Sequence, residues 1–181
     1  GAMVGGTTSV ITGGGAQGFV NGAMTSAMQQ LFNEWAHSEN SQKLLQAKLL
    51  TVREGIDHSA LWLEDDGYDS GWILYDPAGQ EYFTADRYGM RYSDVFTGEF
   101  ADPAKYIANF PGDVDVVDFN VSVEEARKIS SGFFAATAPF CATMVGNALS
   151  RAPRFSNVRG FFPGSLQSSL QQNLSGVQNA K

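Results

Sequence analysis

Cys141 is the single cysteine of this 181-residue chain, and His37 and His58 are its two histidines. A thiol does chemistry as its thiolate, and Pro139 just ahead of Cys141 marks a helix start, where exposed N–H groups and partial positive charge favour that form. By itself a free cysteine reads as a small buried hydrophobe. What changes the reading is a base within reach. Residues 58–64 read as one strand, 65–70 as a turn rich in Asp and Gly, and 71–76 as a second strand. With the turn centred on Gly67, Trp62 falls opposite Trp72, Ala60 opposite Leu74, and His58 opposite Asp76, all on one face. Directly opposed Cβ atoms in such a pair lie about 4.5–5.5 Å apart. A carboxylate holding one imidazole nitrogen fixes the tautomer and leaves the other nitrogen to take a proton from a thiol. Separately, His58 reads as a satisfied strand histidine and Asp76, ahead of Pro77, as a turn residue. Together with Cys141 they supply nucleophile, base and orienting carboxylate. His37 sits in a polar stretch between two expected helices and is expected to be exposed.

The same inventory excludes other chemistries. One cysteine cannot close an intramolecular disulfide framework, and one cysteine with two histidines cannot build a Cys/His zinc site or the Pro-Cys-x-x-Cys of a zinc deaminase. A net charge of −7 argues against nucleic acid, whose binding rests on concentrated Lys and Arg. Arg151, Arg154 and Arg159 form the one local basic cluster and read as flanking a helix end. The longest apolar stretch, 133–145, is interrupted by Thr137, Pro139 and Thr143 and falls short of the roughly 20 residues that cross a bilayer, so no membrane partner is expected. The first residues lack the pattern of a secretory signal. Gly13, Gly14 and Gly15 do not follow a strand and lack the Lys-Ser/Thr of a phosphate loop. Asp113, Asp115 and Asp118 divide between strand faces and read as a solvated edge rather than a metal site. Glu64, Asp65 and Asp66 read as a charged turn, and no carboxylate pair of glycosidase type stands out.

Several elements must position the three residues. Residues 1–3 read as a remnant of tag removal. Residues 4–22 are rich in Gly, Ser and Thr and cannot bury a core. Met24, Met28, Leu31, Phe32 and Trp35 recur at helical steps, and a second helix is predicted over 42–53, where Leu44, Leu45, Leu49 and Val52 line one broad face. Beyond the hairpin, 80–85 reads as a strand. Asp102 and Pro103 open a short helix, 114–121 is a strand, and Ser122 with Glu125 forms a capping box starting a helix. A further helix after Pro139 carries Cys141, Val145 and Leu149 on one face, and the tail holds a last helical segment.

These residues carry two resemblances. Residues 5–14 and 18–34 resemble the junction that precedes the C-terminal toxin of bacterial polymorphic toxins, including Rhs-repeat and haemagglutinin-type proteins. That resemblance implies the effector end of a larger protein, secreted by a contact-dependent route such as type VI secretion. It would be delivered into a rival bacterium's cytoplasm and neutralised at home by a cognate immunity protein. Residues 57–62, 74–76 and 139–142 are similar to the histidine strand, orienting strand and nucleophile helix of papain-like cysteine peptidases. The order His58, Asp76, Cys141 is circularly permuted relative to papain, as in the lecithin:retinol acyltransferase-like enzymes. The implied fold class is α+β, a small antiparallel sheet packed against helices with the His and Asp strands before the Cys helix. The implied domains are a pre-toxin junction and helix over 4–36 and a peptidase domain over 37–181. The implied activity is a cysteine peptidase cleaving a cytosolic protein through catalytic Cys141, His58 and Asp76, with the Cys141 backbone N–H at the oxyanion and no cofactor or metal. A peptidoglycan peptide hydrolase, a deamidase or an acyltransferase stay open as alternatives, as does a binding module that blocks a partner.

Overall fold

The computed structural model describes residues 43–53, 58–65, 71–77, 95–108, 110, 114–133, 138 and 140–178, all within one compact unit, Gln42–Lys181. The expected junction and helix over 4–36, His37, Asp66, Asp113 and the expected strand over 80–85 lie outside the described residues. The fold is α+β, built on a five-stranded sheet in the order β4-β3-β2-β1-β5 with antiparallel pairing throughout. The strands are β1 (Leu44–Val52), β2 (His58–Glu64), β3 (Trp72–Tyr75), β4 (Val95–Phe96) and β5 (Val114–Ser122). The α-helices are α1 (Pro103–Ile107), α2 (Val123–Ser131), α3 (Cys141–Leu149) and α4 (Pro163–Gln178).

β1 corrects the expected helix over 42–53. Leu, Gln, Ala and Lys are good helix formers, yet the segment lies between β2 and β5, where each flank offers a hydrogen-bonding ladder. Its first half alternates, with Leu45 and Ala47 buried and Leu44 and Gln46 exposed, and its second half, Leu49 to Val52, is buried throughout. A strand covered on both faces reads as a continuous apolar run, so sequence alone does not separate it from a helix stripe.

The two faces follow from strand alternation. Leu50, Val52, Ala60, Trp62, Leu74 and Phe96 share one face and form a core cluster with Ala101 and Tyr106, covered by α1 and the 3-10 turn Gly98–Ala101 that precedes it. On the other face Tyr75 stacks on Phe133 at 4.4 Å between ring centroids, and Phe119 meets Phe155 edge-on at 5.5 Å. α3 packs on β2 and α4 on β1 on this side.

Helix ends form where the sequence predicts them. Asp102 caps α1 by accepting from Lys105 N–H at 2.9 Å, with Pro103 in its first turn. Ser122 and Glu125 complete the capping box of α2. β5 is an edge strand whose carboxylates are engaged, Asp115 with Arg53 at 2.9 Å and Asp118 with Lys48. Asp65 is buried rather than solvated. Among the described residues no helix is long and apolar enough to cross a membrane.

The α3–α4 junction depends on close backbone approach. A Cβ on Gly160 would sit 2.2 Å from the Leu166 backbone nitrogen, with no flexible side-chain end able to yield. Gly160→Ala is therefore expected to destabilise the fold by about 1–3 kcal/mol, measured as a lower urea midpoint. An unchanged midpoint would contradict this packing.

Candidate active site

The hairpin register differs from the expected one by two residues. Glu64 pairs with Trp72 and Trp62 with Leu74, so the line of pairing places Ala60, not His58, opposite Asp76. The geometry survives because side chains alternate with period two. A two-residue slip keeps His58 and Asp76 on the same face as diagonal neighbours, where a one-residue slip would have separated them.

The sheet ends at this point for a local reason. Extending the β2–β3 register puts Pro77 opposite Ser59, and a proline has no N–H with which to continue a ladder. β3 stops at Tyr75, Asp76 follows it, and the Ser59 N–H is directed to the Cys141 sulfur. Cys141 is the first residue of α3, whose N-cap, Phe140, offers no side-chain cap. The thiol thus arrives beside the start of β2 at a helix end with unpaired first-turn donors.

All three expected residues meet there. His58 Nε2 lies 3.0 Å from Asp76 Oδ1, with the histidine 1% and the aspartate 0% exposed. His58 also shares a hydrogen bond with Cys141. Since Nε2 faces the carboxylate, Nδ1 is the nitrogen turned to the sulfur. The imidazole therefore links carboxylate and thiol through its two nitrogens, an arrangement suited to moving a proton to and from sulfur.

Tyr106 is a further member that the sequence did not reveal. Its hydroxyl donates to Asp76 Oδ2 at 2.5 Å and lies 3.2 Å from His58 Nε2, so both carboxylate oxygens are engaged. Its ring meets Trp62 edge-on at 5.3 Å, and Phe110 stacks over the His58 ring at 6.1 Å and 21°. No spacing in the chain links Tyr106 to residues 30 and 48 positions away. The Ser59 donor is a backbone group with no side-chain signature.

The electrostatics follow from these contacts. Burial favours the neutral imidazole, but the hydrogen bonds to Asp76 and Cys141 and the charges of both outweigh it, raising the His58 pKa from 6.5 to about 9. Burial likewise pushes the Cys141 thiol up. The hydrogen bond and charge of His58, then the N–H groups of Ser59 and Ala142, reverse this and leave it below its ordinary value. Both shifts favour the thiolate–imidazolium pair relative to the isolated side chains.

No protein-family model, curated protein or solved structure matches the chain.

A raised His58 pKa keeps the imidazolium present until pH rises through about 9, and a lowered Cys141 pKa keeps the thiolate present as pH falls below the ordinary cysteine range. Iodoacetamide is expected to alkylate Cys141 at about pH 6 at least about tenfold faster than an unstructured peptide cysteine. Asp76→Asn, which removes the charge supporting the imidazolium, should lose most of that advantage. Equal rates for the chain and the peptide would contradict the paired state.

Proposed function

We propose that this chain is a thiol hydrolase that cleaves amide bonds in a protein substrate, with Cys141 as nucleophile, His58 as proton carrier and Asp76 as the group that orients His58. The observation that carries the reading is the junction of these three residues, from three separate segments, at one end of the sheet.

The thiolate adds to the amide carbonyl carbon, forming a C–S bond and moving the carbonyl electron pair onto oxygen. The Cys141 backbone N–H, in the first turn of α3, is the candidate donor to that oxyanion. His58 then gives its Nδ1 proton to the amide nitrogen, the C–N bond breaks, and the amine leaves. A thioester and a neutral imidazole remain. A water molecule loses a proton to His58 as its oxygen attacks the thioester, and the C–S bond breaks to release the acid and restore thiolate and imidazolium. Asp76 holds His58 in orientation throughout.

In this reading the fold is papain-like in permuted order, supported by a nucleophile at a helix start packed on an antiparallel sheet that presents histidine and aspartate earlier in the chain. The junction-like residues 5–34 support a place at the effector end of a polymorphic toxin of Rhs type. Its substrate is then a cytosolic protein of the target bacterium, and a cognate immunity protein is its partner in the producing cell.

Cys141→Ala, with the fold kept, is expected to lower proteolysis by about 10⁴-fold or more, and His58→Ala by at least as much. Expression in a bacterial cytoplasm should arrest growth and create new protein termini with the native chain only. Growth arrest by a folded Cys141→Ala chain would overturn the enzymatic reading in favour of a module that blocks a partner. Arrest only on export to the periplasm would move the substrate to peptidoglycan peptides. Turnover, which needs the imidazolium to protonate the leaving amine, should fall as pH rises through about 9, and a rate constant through that range would contradict the role of His58.

A further inference from the structure

Behind the nucleophile helix lies a second feature that the chemistry does not use. α3 turns Ala142, Val145, Ala148 and Leu149 into the core. Helical spacing places Thr143, Gly146 and Asn147 on the face away from Cys141. There they line a cleft of about 300 Å³ with Arg159, Gly160 and Phe161. Its floor is fixed by close approach: a Cβ on Gly146 would meet Leu166 at 3.2 Å, and Gly160 is clamped on the Leu166 backbone. A cleft so built is formed before any ligand arrives, which spares the ligand the cost of ordering it.

The rim is apolar and faces water. Phe161 lies 4.2 Å from Phe140 and 5.0 Å from Phe162 between ring centroids, and the three rings are 53%, 40% and 58% exposed. A contiguous exposed aromatic patch on a soluble surface marks an interaction site. Beside it stands Arg159. Its guanidinium donates to the Ser156 carbonyl at 3.3 Å, and among the described residues no carboxylate lies within ion-pair distance. Its neighbour Arg154, by contrast, is matched to Glu125 at 3.2 Å. A guanidinium with spare donors, an amide from Asn147 and an aromatic rim together fit a carboxylate flanked by an apolar group. On a chain of net charge −7, this local positive point would select that carboxylate while the chain as a whole repels anionic lipid surfaces.

We propose that this cleft is a recognition site for an acidic-apolar peptide segment, in which an Asp or Glu side chain pairs with Arg159 and a neighbouring apolar side chain lies over Phe161 and Phe140. Resting on the proposed function for the identity of its owner, the segment belongs to the protein substrate, held on the side of α3 away from Cys141 and outside the triad.

The test is selection of random heptapeptides displayed on phage against the full chain carrying Cys141→Ala. Enriched sequences are expected to join Asp or Glu to Phe, Leu or Ile. A labelled synthetic peptide of the winning sequence should bind at least about tenfold more weakly to Arg159→Gln, with Arg159→Lys in between. Unchanged alkylation of Cys141 in an otherwise native Arg159→Gln chain checks that the fold is intact. Absence of enrichment, enrichment of neutral or basic peptides, or binding indifferent to Arg159→Gln would overturn the proposal. Binding is read on a chain that cannot cleave, so acidic peptides that bind while the native chain shows no proteolysis would remove the proposed enzyme and leave the site standing.

Discussion

A carboxylate with no solvent exposure is the constraint on which the rest of this structure depends. Taking the Asp76 charge out of water is costly unless both of its oxygens find donors. The fold supplies His58 Nε2 to one oxygen and the Tyr106 hydroxyl to the other. That satisfaction has a directional consequence. With Nε2 committed to Asp76, the imidazole has one remaining nitrogen, and it faces the Cys141 sulfur. A buried aspartate thereby orients a histidine and, through it, favours the ionised form of a thiol. Removing any member leaves the others buried without their partners.

The scaffold serves this chain of contacts by ending elements at one place. Pro77 stops the β2–β3 ladder, β2 begins with His58, and α3 begins with Cys141. Helix and strand ends are where backbone N–H groups lack partners within their own element, and the donors that reach the sulfur, from Ser59 and Ala142, are of this kind. The two layers covering the sheet divide the work. α1 brings Tyr106 to the carboxylate on one face, while α3, packed on the other, carries the sulfur to the sheet end. The opposite side of α3 is left to face the aromatic rim and Arg159.

The sequence made side-chain types and the face they occupy legible, and left pairing partners less so. His58 and Asp76 were expected to face each other, and although the register lies two residues away, period-two alternation preserved their common face. The capping residues Asp102 and Ser122 announced α1 and α2 because capping is a local interaction between residues three apart. β1 was read as a helix because an apolar strand buried on both faces shares its composition with a helix stripe, and only its position between β2 and β5 decides. Tyr106 carried no signal because its role arises from three segments brought together by the fold. Ser59 contributes a backbone donor that any residue type but proline supplies. Three of the residues that meet at the sheet end could thus be picked out by residue type, and the α+β class was implied by the resemblance, while the groups that support them could not be read.

The central claim is that Cys141 is held as a thiolate by an imidazolium whose orientation Asp76 fixes. It is tested most directly by an ultraviolet titration of thiolate absorbance in the native chain, taken as the difference from Cys141→Ser. Thiolate absorbance should persist as pH is lowered below the ordinary cysteine range, with a second, smaller change as His58 loses its proton near pH 9. A single loss of absorbance at the ordinary cysteine pKa, about 8.5, would show an unperturbed thiol and contradict the account.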